Sequence, residues 1–291
     1  MSFALKQFKA CQTLSWQAFF VKCWRNANDW HNVINIEGPL SSFPSHYRHQ
    51  AYDAVVSTNE LALQAGQRGE IGNLWITARE QTGGRGRRGR AWVSETGNLY
   101  SSLLLINPAP SAKVAQLPLV IATAAHRAVC NALPPNLRAQ VSIKWPNDLL
   151  MEDRKISGIL LEGSNRGNGD QIVVVGIGIN CRTHPGQTDG LGAANLSEGG
   201  FDIDPDILFP LLAQQVDRQI GVWRQGAGFD DIRRDWLMRA RGVGKPIVVR
   251  LPNEELHGHF EHLDDDGALV LLMDKGSRRK ILAGEVFWPQ C

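Results

Sequence analysis

The 291-residue chain is 43% hydrophobic and 21% charged with a formal net charge of +2, a globular balance that excludes a disordered chain and gives no overall attraction to nucleic acid or a membrane. Its five cysteines (Cys11, Cys23, Cys130, Cys181, Cys291) are scattered and hold no C-x-x-C pair. They argue against a disulfide framework or a structural zinc site, and for a reducing, cytoplasmic compartment. No apolar run is long enough to cross a bilayer, and the length suits one large domain plus a small one.

Residues 1–45 read as an N-terminal extension, poorly ordered or helical, or as an upstream translation start. Trp16, Phe19, Phe20, Cys23 and Trp24 fall on one helical stripe, which would suit a helix packed on the body or on a partner. Neither the long apolar core nor the cleavage site of a secretory signal is present. From Tyr52 the pattern tightens. Ala54–Val56 predicts a short strand, and Ser57-Thr58-Asn59-Glu60 a capping box opening a helix to about Gln67. Strands are expected at Leu74–Ala78, Asn98–Ile106, Val141–Trp145, Lys155–Glu162 and Ile172–Asn180, with one long buried helix over Val114–Leu133. In the Ile172–Asn180 strand Val173, Val175, Ile177 and Ile179 take one face. Gly176, Gly178 and Asn180 take the other, and that bare face predicts close approach by a ligand or another backbone.

A loop over 183–202 leads to two helices, Asp206–Gln225 and Phe229–Arg239. Composition shifts at Gly242-Val243-Gly244, which divides a main domain (46–241) from a small unit (242–291). Pro246–Leu251, Leu256–Leu263, Ala268–Met273 and Arg279–Phe287 alternate as strands and predict a small β-barrel.

The most unusual stretch runs from Glu80 to Trp92. Gly83, Gly84, Gly86 and Gly89 alternate with Arg85, Arg87, Arg88 and Arg90 within eight residues. Guanidiniums that close repel one another and settle when an anion arrives, while glycines let the backbone reshape around it. The stretch therefore reads as a phosphate- or acyl-phosphate-binding loop, mobile when empty. Gly84–Gly89 also fits the G-x-G-x-x-G dinucleotide fingerprint, but no helix follows and no acidic residue sits at the end of a next strand. A P-loop is excluded because no Gly-Lys-Ser/Thr follows. A nucleic-acid patch lacks a second basic stripe, and a solvated charged turn is the bland alternative.

Taken together, Ser57-Thr58-Asn59, Gln81 with Gly84-Arg85-Gly86-Arg87-Arg88-Gly89, Lys144-Trp145-Pro146-Asn147-Asp148, Lys155-Ile156-Ser157-Gly158 and Gly176-Ile177-Gly178-Ile179-Asn180 resemble biotin protein ligase in order and spacing. The resemblance covers roughly residues 50–290. It implies an α+β fold: a mixed β-sheet flanked by helices, of the class II synthetase type, followed by a small SH3-like barrel. It also implies an ATP-dependent ligase that makes biotinyl-5'-adenylate with Mg²⁺ and passes biotin to a lysine of a carboxyl-carrier domain.

By position, Ser57, Thr58, Asn59 and Gln81 would hold the biotin ring, with Arg85, Gly86, Arg87, Lys155 and Gly158 completing its site. Arg85, Arg87, Trp92, Lys144, Asn147 and Asn180 would hold the nucleotide. Lys155, Arg87, Lys144 and Asp148 would carry the chemistry, and Asp148 is the candidate Mg²⁺ ligand. Gly158, Gly176 and Gly178 would let the ligand lie against the sheet.

Two departures from the family stand out. Residues 1–45 are too short for the DNA-binding domain of some members, so no nucleic-acid partner or repressor role is expected. Trp288-Pro289 follows Gly284-Glu285-Val286-Phe287 where some members carry an arginine. No membrane partner is expected, and a homodimer is allowed. The rival readings are a lipoate protein ligase and a non-catalytic biotin or adenylate sensor.

Overall fold

The computed structural model describes residues 43–186, 191–274 and 276–289; the expected helical stripe of Trp16 to Trp24 lies outside the described residues. The described residues open with a βαβ unit: β1 (Arg48–Val55), α1 (Thr58–Gln67) and β2 (Leu74–Gln81), the strands pairing in parallel. β3 (Leu99–Ile106), α2 (Ser111–Val114) and α3 (Leu117–Ala132) follow. Then come β4 (Val141–Lys144), β5 (Asp148–Met151), β6 (Arg154–Asn165) and β7 (Gln171–Ile179). These seven strands form one mixed sheet in the order β1-β2-β3-β7-β6-β5-β4. Helices α4 (Pro205–Trp223) and α5 (Phe229–Leu237) complete the main unit.

The alternation of each central strand builds two cores. Trp75, Leu103, Val173, Val175, Ile177 and Ile179 face α3 and α4 in the larger one. Leu74, Ile76, Leu104, Ile172 and Val174 meet Ala62 of α1 on the opposite face. Along that second face the apolar side chains run out at Ser102, Gly176, Gly178 and Gly158, which are register neighbours across β3, β7 and β6. The helix begins where they end, so its N-terminus stands over a strip of bare sheet.

The small unit is a five-stranded antiparallel sheet of β8 (Pro246–Arg250), β9 (Glu255–Leu263), β10 (Leu269–Leu272), β11 (Arg278–Ile281) and β12 (Glu285–Phe287), ordered β11-β10-β9-β8-β12. Phe260 packs at 6.3 Å from Trp236 of α5, and the Trp145 indole N–H donates to the Gly267 carbonyl at 3.3 Å, so the two units share a core. No described helix is long and apolar enough to cross a membrane.

The architecture follows the expected one, with four local differences. β1 begins six residues before the expected Ala54, because its outer residues lie at the sheet edge and carry no apolar alternation. The helix expected over Val114–Leu133 is split into α2 and α3; Pro118 lacks an N–H and fits only a first turn. β5 was not expected: three apolar residues, Leu149-Leu150-Met151, are too few to declare a strand. Arg279–Phe287 is two strands, broken at Leu282-Ala283-Gly284.

Two histidines are held neutral by this packing. Burial pushes both His49 and His126 down to about 4. His49 Nε2 lies 2.8 Å from the Thr77 hydroxyl and His126 Nε2 donates to the Val141 carbonyl at 3.1 Å. A depressed folded-state pKa means the stabilisation is complete above the unfolded value near 6.5 and is lost as pH falls towards 4, up to about 3 kcal/mol for each group. Urea unfolding of the wild type should therefore weaken between those pH values more steeply than that of a His49→Phe, His126→Gln variant. Parallel slopes would contradict the assignment.

Candidate active site

Ser57 is the N-cap of α1 and its hydroxyl accepts the Glu60 N–H at 3.4 Å, half of the expected capping box. This places Thr58 and Asn59, both nearly buried, at the mouth of the bare strip. The Gln81 side-chain carbonyl accepts from the Thr58 N–H at 2.9 Å and lies 3.1 Å from the Thr58 hydroxyl. The Gln81 amide nitrogen donates to Ser94 at 2.9 Å, and Ser94 donates to the Trp92 carbonyl at 2.9 Å. One end of the cleft is thus neutral, made of amides and hydroxyls whose directions are fixed by their partners.

The arginine-glycine stretch is a narrow hairpin leaving β2. The Gly86 N–H donates to the Arg90 carbonyl at 2.7 Å and the Trp92 N–H to the Gly84 carbonyl at 2.9 Å. Its tip, Arg87–Gly89, is a single 3-10 turn in which Gly89 takes φ +73°. Its charge is not left for an anion alone, contrary to expectation. Arg90 and Arg88 pair with Glu285 at 2.6 and 3.5 Å, and Arg85 with Glu162 at 3.6 Å. Arg87 donates to the Asn147 side-chain oxygen at 2.9 Å and to the Gly284 carbonyl at 3.4 Å. Two carboxylates from distant segments offset the repulsion that the loop sequence alone implies.

The other end of the cleft is cationic. Lys155 on β6 pairs with Asp148 at 2.7 Å and lies 5.4 Å from the centre of the Trp92 ring. Lys144, at the end of β4, is 9% exposed, and its ammonium makes no hydrogen bond or ion pair among the described residues. It sits 5.1 Å above the Phe287 ring. Burial pushes the Lys144 ammonium below its ordinary pKa and does the same to Arg87. Asp148 and Glu285 nearby oppose that shift at Lys144 without pairing with it, so an arriving anion still stabilises the buried cation.

Ser57, Thr58, Asn59, Gln81, Arg85, Arg87, Trp92, Lys144, Asn147, Asp148, Lys155 and Gly158 all line one cleft, whose empty volume with its open mouth is about 990 Å³. Two expected residues do not line it. Gly86 closes the hairpin behind Arg87. Asn180 lies just past the end of β7, nearly buried, where its amide donates to the Ala194 carbonyl at 3.0 Å. It fastens the 193–196 segment and does not line the cleft.

Protein side chains also come close to the bare strip. A Cβ on Gly178 would lie 2.7 Å from the Trp92 indole, and one on Gly176 would lie 2.2 Å from the Asn59 side-chain oxygen. Gly158, Gly176 and Gly178 still line the cleft, so a ligand would meet Trp92 and Asn59 together with the strand glycines. The Trp92 indole N–H lies buried against Gly178 and is without a partner among the described residues. Gly176→Ala should displace Asn59 at a cost of about 1–3 kcal/mol. Its expected readout is weakened small-ligand binding with the fold retained by circular dichroism; unchanged binding would show that Asn59 is not held by this contact.

Sequence reasoning missed Glu285 and Phe287, which β12 brings from the small unit to the cleft. Their alternation with buried Val286 was the available signal. Trp288, where some ligases carry arginine, instead packs against Arg241 at 5.5 Å. Arg90, Tyr100, Ser101 and Leu191 also line the cleft.

The chain is similar to known proteins across both of its units. A model of the biotin/lipoate A/B protein ligase family matches residues 54–180, and one of the biotin protein ligase C-terminal domain matches residues 242–288. A biotin–[acetyl-CoA-carboxylase] ligase of Paracoccus denitrificans is 41% identical over 242 residues, spanning 80% of this chain and 97% of that relative. A bifunctional ligase/repressor of Escherichia coli is 30% identical over 236 residues, spanning 80% of this chain and 71% of the relative. A solved biotin protein ligase from Aquifex aeolicus in complex with biotin and ATP matches with a TM-score of 0.68 at 27% identity, covering 82% of this chain and 97% of that one. With its fold, its two matched domains and relatives of this length and identity, the chain belongs to the biotin protein ligase family.

Proposed function

We infer that the protein is an ATP-dependent biotin–[acetyl-CoA-carboxylase] ligase. The observation that carries this reading is one cleft with a neutral, hydrogen-bonding end at Thr58, Asn59 and Gln81 and a cationic end at Lys144, Lys155 and Arg87. A cyclic urea suits the first. A carboxylate meeting a phosphate needs the second, because two anions must be brought together. A biotin carboxylate oxygen attacks the α-phosphorus of ATP, a new O–P bond forms, and pyrophosphate leaves with the electrons of the broken bond. Lys155 and Lys144 stabilise the charge gathering on the phosphate oxygens, and Arg87 closes the hairpin over the mixed anhydride. The anhydride is then attacked by the lysine amine of a carboxyl-carrier domain, which releases AMP.

Mg²⁺ takes most of its ligands from phosphates and water and needs only one or two protein carboxylates. Among the described residues no cluster of three or more acidic, histidine or cysteine side chains forms a metal cage. Asp148, paired with Lys155, would supply one oxygen to an ion that arrives with the nucleotide. A bound ion there would neutralise phosphate charge.

The amide-and-hydroxyl end favours biotin over lipoate, whose dithiolane ring offers no comparable hydrogen-bonding edge. Incubation with ATP, Mg²⁺, a carrier domain and labelled biotin or lipoate tests the reading. Label transfer from biotin alone is the expected result. Transfer from lipoate, or tight biotin binding with no transfer, would overturn it in favour of a lipoate ligase or a sensor.

A further inference from the structure

Glu162 is a strand residue outside the cleft lining, yet it touches two of the side chains that shape the cleft. On β6 it stands opposite Val174, beside the bare position Gly176. The side-chain amide of Asn59 rests over Gly176, with Ser102 of β3 on one flank and Glu162 on the other. The Asn59 amide nitrogen donates to one Glu162 oxygen at 2.7 Å, and the Ser102 hydroxyl lies 2.5 Å from the Asn59 oxygen. The second Glu162 oxygen lies 3.6 Å from the Arg85 guanidinium.

We propose that Glu162 is a positioning residue for substrate recognition: its carboxylate sets the orientation of the Asn59 amide and ties it to Arg85 at the base of the hairpin. A carboxylate only accepts hydrogen bonds, so it dictates that the Asn59 NH₂ group faces β6 and the oxygen faces β3. The Ser102 hydroxyl then donates to that oxygen and lies 2.8 Å from the Thr58 hydroxyl. Thr58 in turn donates its backbone N–H to Gln81 at 2.9 Å. Glu162 therefore anchors a directed chain of hydrogen bonds through which the neutral end of the cleft presents a defined donor and acceptor pattern. A neutral amide in its place cannot serve both neighbours. With its oxygen towards Asn59 it turns N–H groups on the Arg85 guanidinium, and the reverse orientation forces Asn59 to flip.

This inference rests on the reading of the cleft as a biotin site, and the test separates the two. Initial rates of biotinyl-adenylate formation are measured with biotin and ATP varied independently for wild type, Glu162→Gln, Asn59→Ala and the double variant. Thermal unfolding of each variant is the fold control. Glu162→Gln should raise KM for biotin about 10- to 100-fold, as loss of a charge-assisted buried hydrogen bond implies, with KM for ATP within about threefold. In the Asn59→Ala background the same substitution should have little further effect on KM for biotin, because the two act as one unit. Glu162→Asp, which keeps the charge, should recover part of the loss. A wild-type KM for biotin in Glu162→Gln, equal shifts for both substrates, or full additivity with Asn59→Ala overturns the positioning role while leaving the ligase reading intact. A wild type inert towards biotin overturns both.

Discussion

Replacing Lys155 with methionine lowers the rate of adenylate formation by about 100- to 1,000-fold, the loss expected when a preorganised charge aimed at a developing anion is removed. The ammonium lies 2.7 Å from Asp148 and faces the cleft beside Trp92. Its removal has two consequences that can be separated. The transition state loses a positive partner, and Asp148 is left as an unpaired negative charge that repels phosphate. Asp148→Asn in the same chain cancels only the second. If Lys155 acts on the phosphate, the Lys155→Met, Asp148→Asn variant stays slow in single-turnover measurements with ATP and biotin. Recovery to near the wild-type rate would reduce the lysine to a neutraliser of Asp148.

The second large effect is expected at Arg87. Its guanidinium joins the hairpin to the β4–β5 turn through Asn147 and to the small unit through the Gly284 carbonyl. Asn147 is itself fastened, because its amide donates to the Ile159 carbonyl and its own carbonyl accepts the Ile159 N–H at 3.0 Å. Arg87→Gly removes both ties and a cation from over the anhydride. Dissociation of the biotinyl-adenylate should rise about 100-fold, the equivalent of about 2–3 kcal/mol for one charged hydrogen-bonding group. A released acyl phosphate labels accessible lysines without regard to sequence, so the variant should biotinylate serum albumin added as a bystander. Strict selectivity for the carrier domain in Arg87→Gly would remove the closing role from this residue.

How far the site could be read in the sequence differs from residue to residue. Ser57, Gln81, the hairpin and the Lys144–Asp148 turn were legible because each sits in a short motif whose residue types have a chemical reason to be together. The β7 strand was legible from alternation, since its apolar positions 173, 175, 177 and 179 serve one core. Asn180 was misplaced because alternation continues past Ile179 on paper, whereas the strand ends there and the side chain turns to the 194 segment. Glu162 and Glu285 were invisible as loop partners: they lie 77 and 195 residues beyond Arg85 and Arg90 respectively, and nothing local marks a strand glutamate as the mate of a distant arginine. The covering of Gly176 and Gly178 was hidden for the same reason. A missing Cβ announces that something comes close, and only the folded chain reveals that Asn59 and Trp92 are what does.

On this reading the cleft joins biotin to AMP before any carrier arrives. The purified protein is mixed with biotin and ATP labelled at the α-phosphate, with Mg²⁺ and no carrier. About one equivalent of labelled biotinyl-AMP should be retained on the protein, with matching pyrophosphate release, both dependent on biotin. Release of labelled ADP, AMP formation that is indifferent to biotin, or no nucleotide turnover at all would contradict it.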